Sequence, residues 1–237
     1  MTLQHQVPSK SFTPPVPETE QVTQLAQLQP RGNAAMQEQL RQEPARPRVS
    51  SGSFVRQGLR AEVLSLALTA YDNAVKRGDV DKPILTVVDY SLPSDEKRMW
   101  VIDLTRGRLL HHVLVSHGSN SGGRNSTSFS NRDGSHQSNL GVMKTGETYV
   151  GKHGRSLKLD GLEEGFNDNA RSRYIVMHQA DYVNDDRART KSVGRSWGCL
   201  AMDPKVAGDV IDTVKNGTLV VSYYPDDKWL RQSEYLQ

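Results

Sequence analysis

Short apolar runs separated by polar segments fill the chain between Ile84 and Tyr224, and this pattern limits the folds open to it. The runs are rich in Val, Ile, Leu and Tyr, and they lie at 84–90, 99–104, 109–115, 141–150, 156–159, 173–178 and 218–224. Segments of this length and composition are typical of buried β-strands. Thr105–Arg108 (TRGR), between the second and third runs, is typical of a hairpin turn. We therefore predict a mainly antiparallel β fold without regular alternation of strands and helices.

Two segments have the apolar spacing of helices. Over Arg56–Arg77 the apolar residues recur on one helical face, and Gly78 is a suitable C-cap. A second helix is predicted to begin after Asp203, a good N-cap, with Pro204 at its first position. Residues 116–139 are rich in Ser, Gly and Asn and predict a long polar loop. A loop of this length inside a compact domain is usually functional or mobile.

The N-terminal segment has a composition that does not support a core. Seven of the 11 prolines lie before residue 50, together with many Gln and hardly any aromatic residues. Such a segment cannot bury enough apolar surface to offset the entropy that is lost on ordering. We predict a disordered Pro/Gln-rich arm at 1–52 and one folded domain at 53–237, which includes the helix at 56–77. The length of 237 residues is sufficient for one sizeable domain.

The charge pattern and the lengths of the apolar runs argue against two classes of partner. The net charge is +3, and Lys and Arg alternate with Asp and Glu, so no nucleic-acid partner is expected. No apolar run approaches the roughly 18 residues that a membrane span requires, so no membrane span is expected. The first residues lack the charged and apolar regions of a secretory signal peptide.

The chain contains one cysteine, Cys199, which rules out an intramolecular disulfide and a cysteine-based structural zinc site. A lone cysteine is often a small buried hydrophobe. Here, however, it ends the segment Gly194–Cys199 (GRSWGC), whose small residues would let backbone amides approach a substrate closely. A thiol becomes a good nucleophile beside a base. His178, at the end of a predicted strand, is the best-placed base in the order of the sequence.

His178 followed by Ser196-Trp197-Gly198-Cys199 resembles the catalytic motif of the L,D-transpeptidase family. The resemblance extends from about Ile84 to Tyr235 and points to the murein L,D-transpeptidase catalytic-domain branch, which is YkuD-like. The short sequence segments that carry the resemblance are DYSLP at 89–93, SHG at 116–118, FSN at 129–131, TGETY at 145–149, GKHG at 151–154, GLE at 161–163 and NDNA at 167–170.

Three positions depart from the pattern that is common in this family. Gln179 follows the histidine where Gly is usual, and Trp197 stands where many relatives have His. Ala201 occupies the region after the cysteine in which many relatives carry Arg. An aromatic residue at position 197 fits the murein branch. The missing Arg means that the way common members hold a substrate carboxylate is not transferred to this chain.

The resemblance implies a β-sandwich-like catalytic domain with peripheral helices and a thiol mechanism. Cys199 would attack the carbonyl between an L-centre and a D-residue of a peptidoglycan stem peptide, and His178 would accept the thiol proton. Backbone amides near Trp197, Gly198 and Cys199 would stabilise the oxyanion, and Ser196 would shape the turn. An amine from a second stem would resolve the thioester. The family commonly orients its histidine by a backbone carbonyl, so Asp181 is not promoted to a triad.

The same resemblance implies the cellular setting and the partners. We expect a location in the periplasm or the cell wall, stem peptides as substrates, no cofactor and no bound metal. Acylation of Cys199 by carbapenem-type β-lactams is also expected. We further predict that five side chains contact the substrate; they are Tyr149, Lys152, His153, His117 and Arg195. A plain polar turn remains the alternative for Lys152 and His153, and His111 and His112 are interpreted as structural residues.

Three other functions remain open from the residues alone. Water could resolve the same thioester, which would give an L,D-carboxypeptidase or endopeptidase. A zinc hydrolase could draw ligands from His117, His153, His178 and Asp160, although no short zinc-binding spacing is present. A non-catalytic wall-binding module with a long arm is the third. The charged run Asp185–Arg189 is interpreted as a solvated loop.

Overall fold

The structure is a computed structural model that describes residues 51–190 and 192–237, and these residues fold around one eight-stranded sheet. The strands are β1 (Ile84–Asp89), β2 (Met99–Asp103), β3 (Arg108–Val113), β4 (Gly141–Gly151), β5 (Gly154–Gly161), β6 (Val176–Gln179), β7 (Leu200–Met202) and β8 (Leu219–Tyr223). Their order across the sheet is β3-β2-β1-β8-β4-β5-β6-β7. Only the pairs β1–β8 and β6–β7 are parallel. The predicted mainly antiparallel β fold is confirmed.

Short helices lie around this sheet, as predicted. Within the described residues they are α1 (Ser51–Val55), α2 (Ala61–Arg77), α3 (Asp185–Arg189), α4 (Pro204–Val214) and α5 (Asp227–Gln232). The predicted arm at 1–52 lies outside the described residues, apart from the first two residues of α1. None of the helices described is long and apolar enough to cross a membrane.

The apolar runs of the central strands are buried on both faces of the sheet. Leu85 and Val87 of β1 pack in a cluster with α2, whereas Val88 packs in a second cluster with Val210 and Ile211 of α4. Strands that are covered on both faces read as continuous apolar runs rather than as an alternating pattern. This explains why the run at 84–90 contains so few polar residues.

The two edges of the sheet are bridged by the chain that follows β3. The Ser116 amide donates to the Ala201 carbonyl at 2.9 Å, and the Ser119 amide donates to the Ser196 carbonyl at 2.7 Å. These bonds join the segment after edge strand β3 to the other edge strand, β7, and to the turn that precedes it. The start of the long polar loop is thereby fixed beside the Ser196–Cys199 turn.

Three predicted elements differ in the structure. The helix that was expected from Arg56 begins at Ala61, because Gly58 has a φ of 87° and Arg60 is extended. Strand β6 begins at Val176 rather than at Arg173, since Tyr174 has a φ of 56° that no strand residue adopts. The charged run at 185–189 is the short helix α3, which the Asn184 side chain caps by accepting from the Arg187 amide.

The other local predictions agree with the structure. β2 and β3 form the hairpin that TRGR predicted. Gly78 ends α2 with a φ of 78°, and Asp203 caps α4 with Pro204 in its first turn. Residues 116–139 contain no strand or helix in the structure, so they form the long loop that was predicted.

Candidate active site

One row of side chains crosses four neighbouring strands. Tyr149 of β4 is opposite Ser156 of β5, which is opposite His178 of β6, which is opposite Ala201 of β7. Residues that are directly opposite each other share a face of the sheet. The residues next to this row, Leu157, Met177 and Leu200, pack together in the core on the other face. His178 therefore lies on the face opposite to that core.

Cys199 directly precedes β7, the edge strand that pairs with β6. The next residue, Leu200, is opposite Met177, and Ala201, two residues after the cysteine, is opposite His178. The chain thus brings the cysteine to the start of the strand that lies beside His178.

The thiol hydrogen bonds to a backbone carbonyl in this structure. Cys199 Sγ donates to the Tyr174 carbonyl at 3.4 Å. In the described part of the chain no hydrogen bond joins the sulfur to His178. Transfer of the thiol proton to the imidazole therefore requires the Cys199 side chain to turn from this carbonyl. Catalytic hydrogen bonds often shorten only when the substrate is bound.

His178 is set up to act as a base. Its Nδ1 lies 2.7 Å from the Gln179 carbonyl oxygen, which can only accept, so Nδ1 carries the proton. In the neutral ring Nε2 is then unprotonated and can accept a proton. Burial lowers the pKa of His178, the Gln179 carbonyl acts against this, and the charge of His153 lowers it further. The imidazole is therefore neutral at pH 7.

Opposing influences act on the ionisation of Cys199. Burial raises the pKa of the thiol, while the Val176 amide and the positive charge of Arg173 act to lower it. The side chain itself is only partly buried, so a reagent can reach it. A nearby positive charge favours the thiolate, which is the nucleophilic form.

Arg173 holds the polar loop against the site with four hydrogen bonds. Its guanidinium donates to neutral oxygens at 2.6–2.9 Å, which are the carbonyls of Ser130 and Gln137 and the side chains of Asn139 and Ser135. None of these four acceptors is a carboxylate. These contacts therefore do not neutralise the positive charge of Arg173, and the negative groups that interact with it are the Asp133 carboxylate and then the Cys199 sulfur.

Ser196 organises the turn before the cysteine. Its hydroxyl donates to the Cys199 carbonyl at 2.7 Å and accepts from the Gly198 amide at 3.1 Å. The Gly198 amide is thus engaged within the turn and is not free for an oxyanion. This corrects the expectation that Gly198 provides such a donor, and it leaves the amides of Trp197 and Cys199 from the predicted set.

Gly198 is required at its position by conformation and by space. Its φ is 121°, in the region that L side chains rarely adopt. A Cβ atom there would lie 2.7 Å from both the Gln137 carbonyl oxygen and Ile175 Cδ1. The turn therefore brings the cysteine close to the polar loop only because residue 198 has no side chain.

Two exposed aromatic residues flank the thiol. Trp197 is 72% exposed, and its ring stacks on His136 with centroids 4.6 Å apart and planes 7° apart. Tyr174 is 79% exposed, and its carbonyl accepts the bond from the Cys199 sulfur. Contiguous exposed apolar patches often mark a binding surface, whereas single exposed apolar side chains are common. The exposure of Trp197 is what an active-site wall requires.

The side chains that were predicted to contact the substrate differ in burial and in their neighbours. Tyr149 is half-buried in the row that includes His178, and Lys152 and His153 are exposed in the turn between β4 and β5. The His153 ring stacks on that of His178 with centroids 4.5 Å apart. Arg195 is exposed, but Nη1 donates to the Gly122 carbonyl at 3.0 Å, which ties it to the polar loop.

His117 is a structural residue, which corrects the prediction that its side chain contacts a substrate. It is fully buried, its Nδ1 lies 2.8 Å from Arg98 Nη2, and its Nε2 lies 3.4 Å from the Gly122 carbonyl. Burial, and then the charge of Arg98, lower the pKa of His117 to about 4. Arg98 is also fully buried and binds the Val115 carbonyl. The pair supports the loop from within the protein.

The described residues give no ligand set for the zinc alternative. They contain no group of three or more His, Cys, Asp or Glu side chains that could hold a metal ion. Of the residues named for it, His117 is bound to Arg98, and Asp160 is paired with Arg171. Of these four residues, only His153 and His178 are in contact, through their stacked rings.

Sequence reasoning missed four residues at this site, namely Arg98, His136, Arg173 and Tyr174. An arginine next to a predicted strand of apolar residues is the one available signal, and it applies to Arg173 before Ile175–Met177. The positive φ of Tyr174 and the stacking of His136 on Trp197 depend on distant parts of the chain. No spacing in the sequence indicates them.

A comparison with protein families identifies the family to which this chain belongs. A sequence profile of the L,D-transpeptidase catalytic domain matches residues 55–223. The chain therefore belongs to the L,D-transpeptidase catalytic domain family, and the predicted fold and family resemblance are confirmed. No curated protein sequence matches the chain.

Solved structures of low sequence identity are also similar to this chain. An L,D-transpeptidase from Mycobacterium smegmatis is 14% identical, with a TM-score of 0.37, over 60% of this chain and 59% of that chain. LdtMt1, solved in complex with imipenem, is 12% identical, with a TM-score of 0.37 and the same two coverages, 60% and 59%. The helical cell shape determining protein Pgp2 from Campylobacter jejuni is 12% identical, with a TM-score of 0.41, over 65% of this chain and 54% of that chain. This chain thus spans between half and two thirds of the length of these proteins.

Proposed function

We propose that this protein joins peptidoglycan stem peptides through a thioester acyl-enzyme on Cys199. The membership in the L,D-transpeptidase family supports this reaction class. The observation that carries the proposal is that the sole cysteine directly precedes β7, the strand that pairs with β6 and its His178. The neutral, Nδ1-protonated imidazole is the second support, because its Nε2 can accept the thiol proton.

Acylation proceeds in two proton-balanced steps. His178 Nε2 takes the proton from Cys199 Sγ, and the thiolate forms a bond to the carbonyl carbon between the L-centre and the D-residue. The amides of Trp197 and Cys199 stabilise the tetrahedral oxyanion. When the C–N bond breaks, the imidazolium returns its proton to the nitrogen of the departing D-amino acid. The acyl group remains on the sulfur as a thioester.

Deacylation uses the same imidazole, which now accepts a proton from the attacking amine and passes it to the thiolate. An amine of a second stem peptide attacks the thioester carbonyl, and His178 accepts a proton from that nitrogen. The C–S bond breaks, the new amide cross-link leaves, and the proton passes from the imidazolium to the thiolate. If water attacks in place of the amine, the product is a trimmed stem, which is the L,D-carboxypeptidase or endopeptidase alternative.

The exposed residues around the thiol are proposed to bind the substrate. Trp197 forms one wall, and Lys152 and Arg195 provide positive charge near the stem peptide carboxylates. Tyr149 lies in the same row as His178 and contributes to the surface beside it. Such a substrate places the protein in the periplasm or the cell wall. The accessible thiol also supports the proposal that carbapenem-type β-lactams acylate Cys199.

The reaction can be tested with purified disaccharide tetrapeptide stems and the full chain. We expect dimers to accumulate, and we expect Cys199→Ala to abolish them and also the mass adduct formed with a carbapenem. Val150→Ala is the matched control, because Val150 is 85% exposed and points away from the face of Tyr149. Cross-links formed by Cys199→Ala at the parent rate would disprove the assignment. Trimmed monomers without dimers would instead support the hydrolytic alternative, and wall binding without turnover would support a non-catalytic module.

A further inference from the structure

Two imidazole rings stack at the base side of the site. The centroids of His153 and His178 are 4.5 Å apart, and their planes differ by 29°. His178 is 2% exposed, whereas His153 is exposed at the turn between β4 and β5. The ring of an exposed turn residue therefore covers the ring of a buried strand residue.

The hairpin is built to bring His153 to this position. Lys152 and His153 form a two-residue turn between Gly151 and Gly154, which are paired in register. Gly154 has a φ of 73°, and a Cβ atom there would lie 3.0 Å from Gln179 Nε2. A glycine at 154 thus permits both the tight turn and its close approach to the end of β6.

We propose that His153 is a positioning residue for the general base: its ring packs on the face of the His178 imidazole and fixes the plane of that ring. The proposal rests on the proposed function, since it concerns how the base is presented to the thiol. The bond from Nδ1 to the Gln179 carbonyl restrains the side-chain torsions of His178 through one ring atom. A flat group packed on the ring face restrains the same torsions over the whole ring.

The His153 ring also affects the charge state of His178. The titratable group that faces His178 is the His153 imidazole from the β4–β5 turn. The neighbours of His178 on β5 and β7, Ser156 and Ala201, carry no charge, and neither does Gln179. Burial lowers the pKa of His178, and the His153 charge lowers it further. Removal of the His153 ring would expose the imidazole and eliminate that charge, so both effects would move the protonation of His178 to higher pH.

Two substitutions separate ring packing from other roles of His153. We expect His153→Ala to lower kcat for cross-linking by about tenfold or more, with little change in KM, because a misplaced base slows the chemical step. We expect His153→Phe to recover most of kcat, since it retains a flat ring. The acid limb of the pH–rate profile should move to higher pH in His153→Ala. Val150→Ala, on the same hairpin, is the control for general effects on folding.

Two results would overturn the proposal. The first is a kcat of His153→Ala equal to that of the parent; if KM rises at the same time, His153 is a substrate contact only. The second is a His153→Phe variant as slow as His153→Ala.

Nitrogen NMR of His178 tests the same idea without a substrate. We expect a single tautomer protonated at Nδ1 in the parent and in His153→Phe, and a mixture of tautomers in His153→Ala. An unchanged tautomer in His153→Ala would count against positioning. Because this readout requires no turnover, it still decides the role of His153 if the parent protein forms no cross-links, a result that would refute the proposed function alone.

Discussion

At the scale of single residues, the reactivity of Cys199 depends on a balance between burial, which raises the pKa of the thiol, and the Val176 amide and the Arg173 charge, which act to lower it. Burial of a thiol raises its pKa and would leave it protonated and unreactive at neutral pH. Arg173 opposes this effect with a guanidinium whose four neighbouring acceptors are all neutral. The same four bonds hold the polar loop, so Arg173 has an electrostatic role and a structural role.

Substitution of Arg173 separates these two roles. We expect Arg173→Met to raise the pKa of the Cys199 thiol, because the charge that favours the thiolate is lost. Alkylation by iodoacetamide at pH 7 should then be several-fold slower than in the parent, and its pH profile should move to higher pH. Arg173→Lys retains the charge and loses most of the hydrogen bonds, so it should keep the parent profile.

Arg171→Met is the matched control for Arg173→Met. Arg171 is two residues away in the chain, and its guanidinium pairs with the carboxylates of Glu147 and Asp160. Because these carboxylates neutralise it, its removal should leave the alkylation profile of Cys199 unchanged. An equal effect of both substitutions would show that net charge, rather than Arg173 itself, controls the thiol.

Residues could be predicted from the sequence where chemistry requires a particular side chain in a short motif. Cys199 and His178 were predicted as nucleophile and base in this way, because a thiol nucleophile needs a base and the chain has one thiol. His117 was misjudged, since a histidine at the start of a polar loop gives no sign of the buried Arg98 that it contacts. That contact brings together residues on separate segments, and only the folded sheet determines it.

At the scale of elements, Glu163 joins the start of β4 to helix α5. Its carboxylate accepts from the Val142 amide at 2.5 Å, from Trp229 Nε1 at 3.0 Å and from the Ser233 hydroxyl. Burial raises the pKa of Glu163, although these hydrogen bonds act to lower it. The carboxylate is therefore a connector whose charge state depends on pH.

The raised pKa of Glu163 predicts how the free energy of unfolding changes with pH. The folded state holds this proton more tightly than the unfolded chain does, so the contribution of Glu163 to stability is largest below its ordinary pKa of 4.5 and is lost as the pH rises through the raised value. We expect Glu163→Gln, which cannot ionise, to show a smaller loss of stability than the parent between about pH 4.5 and pH 8. Urea denaturation at several pH values measures this difference.

Glu164→Gln provides the control for Glu163→Gln. It makes the same change in net charge at the neighbouring residue, which is exposed. We expect its pH dependence of stability to follow that of the parent. If Glu163→Gln also follows the parent, then the buried carboxylate does not titrate differently on folding, and the electrostatic interpretation of this connector is wrong.

Elements were predictable from the sequence where one local pattern decides them. The Asp203-Pro204 start of α4 and the Gly78 end of α2 are local, and both were predicted correctly. The start of α2 was not, because Arg60 is extended and its guanidinium pairs with Asp89 of β1, a contact across 29 positions of the chain. The apolar spacing before Ala61 indicates a helix that this contact interrupts.

At the scale of the whole molecule, the packing extends beyond the part that the family profile matches. The match ends at residue 223, yet Trp229 of α5 and Tyr235 belong to the cluster that also contains Leu85 and Val221. Trp229 has no exposed surface. The C-terminal residues therefore complete the core on the face that α2 covers, and the site lies on a sheet that they help to stabilise.

Two tryptophans of opposite burial separate stability from activity in this molecule. Trp229 is fully buried, and its Nε1 donates to Glu163, so Trp229→Ala leaves a cavity and removes one of the hydrogen bonds to this carboxylate. We expect it to lower the free energy of unfolding by about 3–5 kcal/mol. Trp197 is 72% exposed, so Trp197→Ala should change this free energy by less than about 1 kcal/mol while it reduces the rate of cross-linking.

Urea denaturation and the stem-peptide assay, applied to both tryptophan variants, decide whether these effects separate. Trp229→Ala should retain the parent rate per folded molecule at low temperature. Its side chain packs with Leu85 of β1 and Val221 of β8, and strands β4 and β5 separate β8 from β6, which carries His178. Trp197→Ala should unfold at nearly the parent urea concentration. If Trp197→Ala were as unstable as Trp229→Ala, the stack of Trp197 on His136 would hold the polar loop in place, and Trp197 would be a structural residue rather than the wall of a binding site.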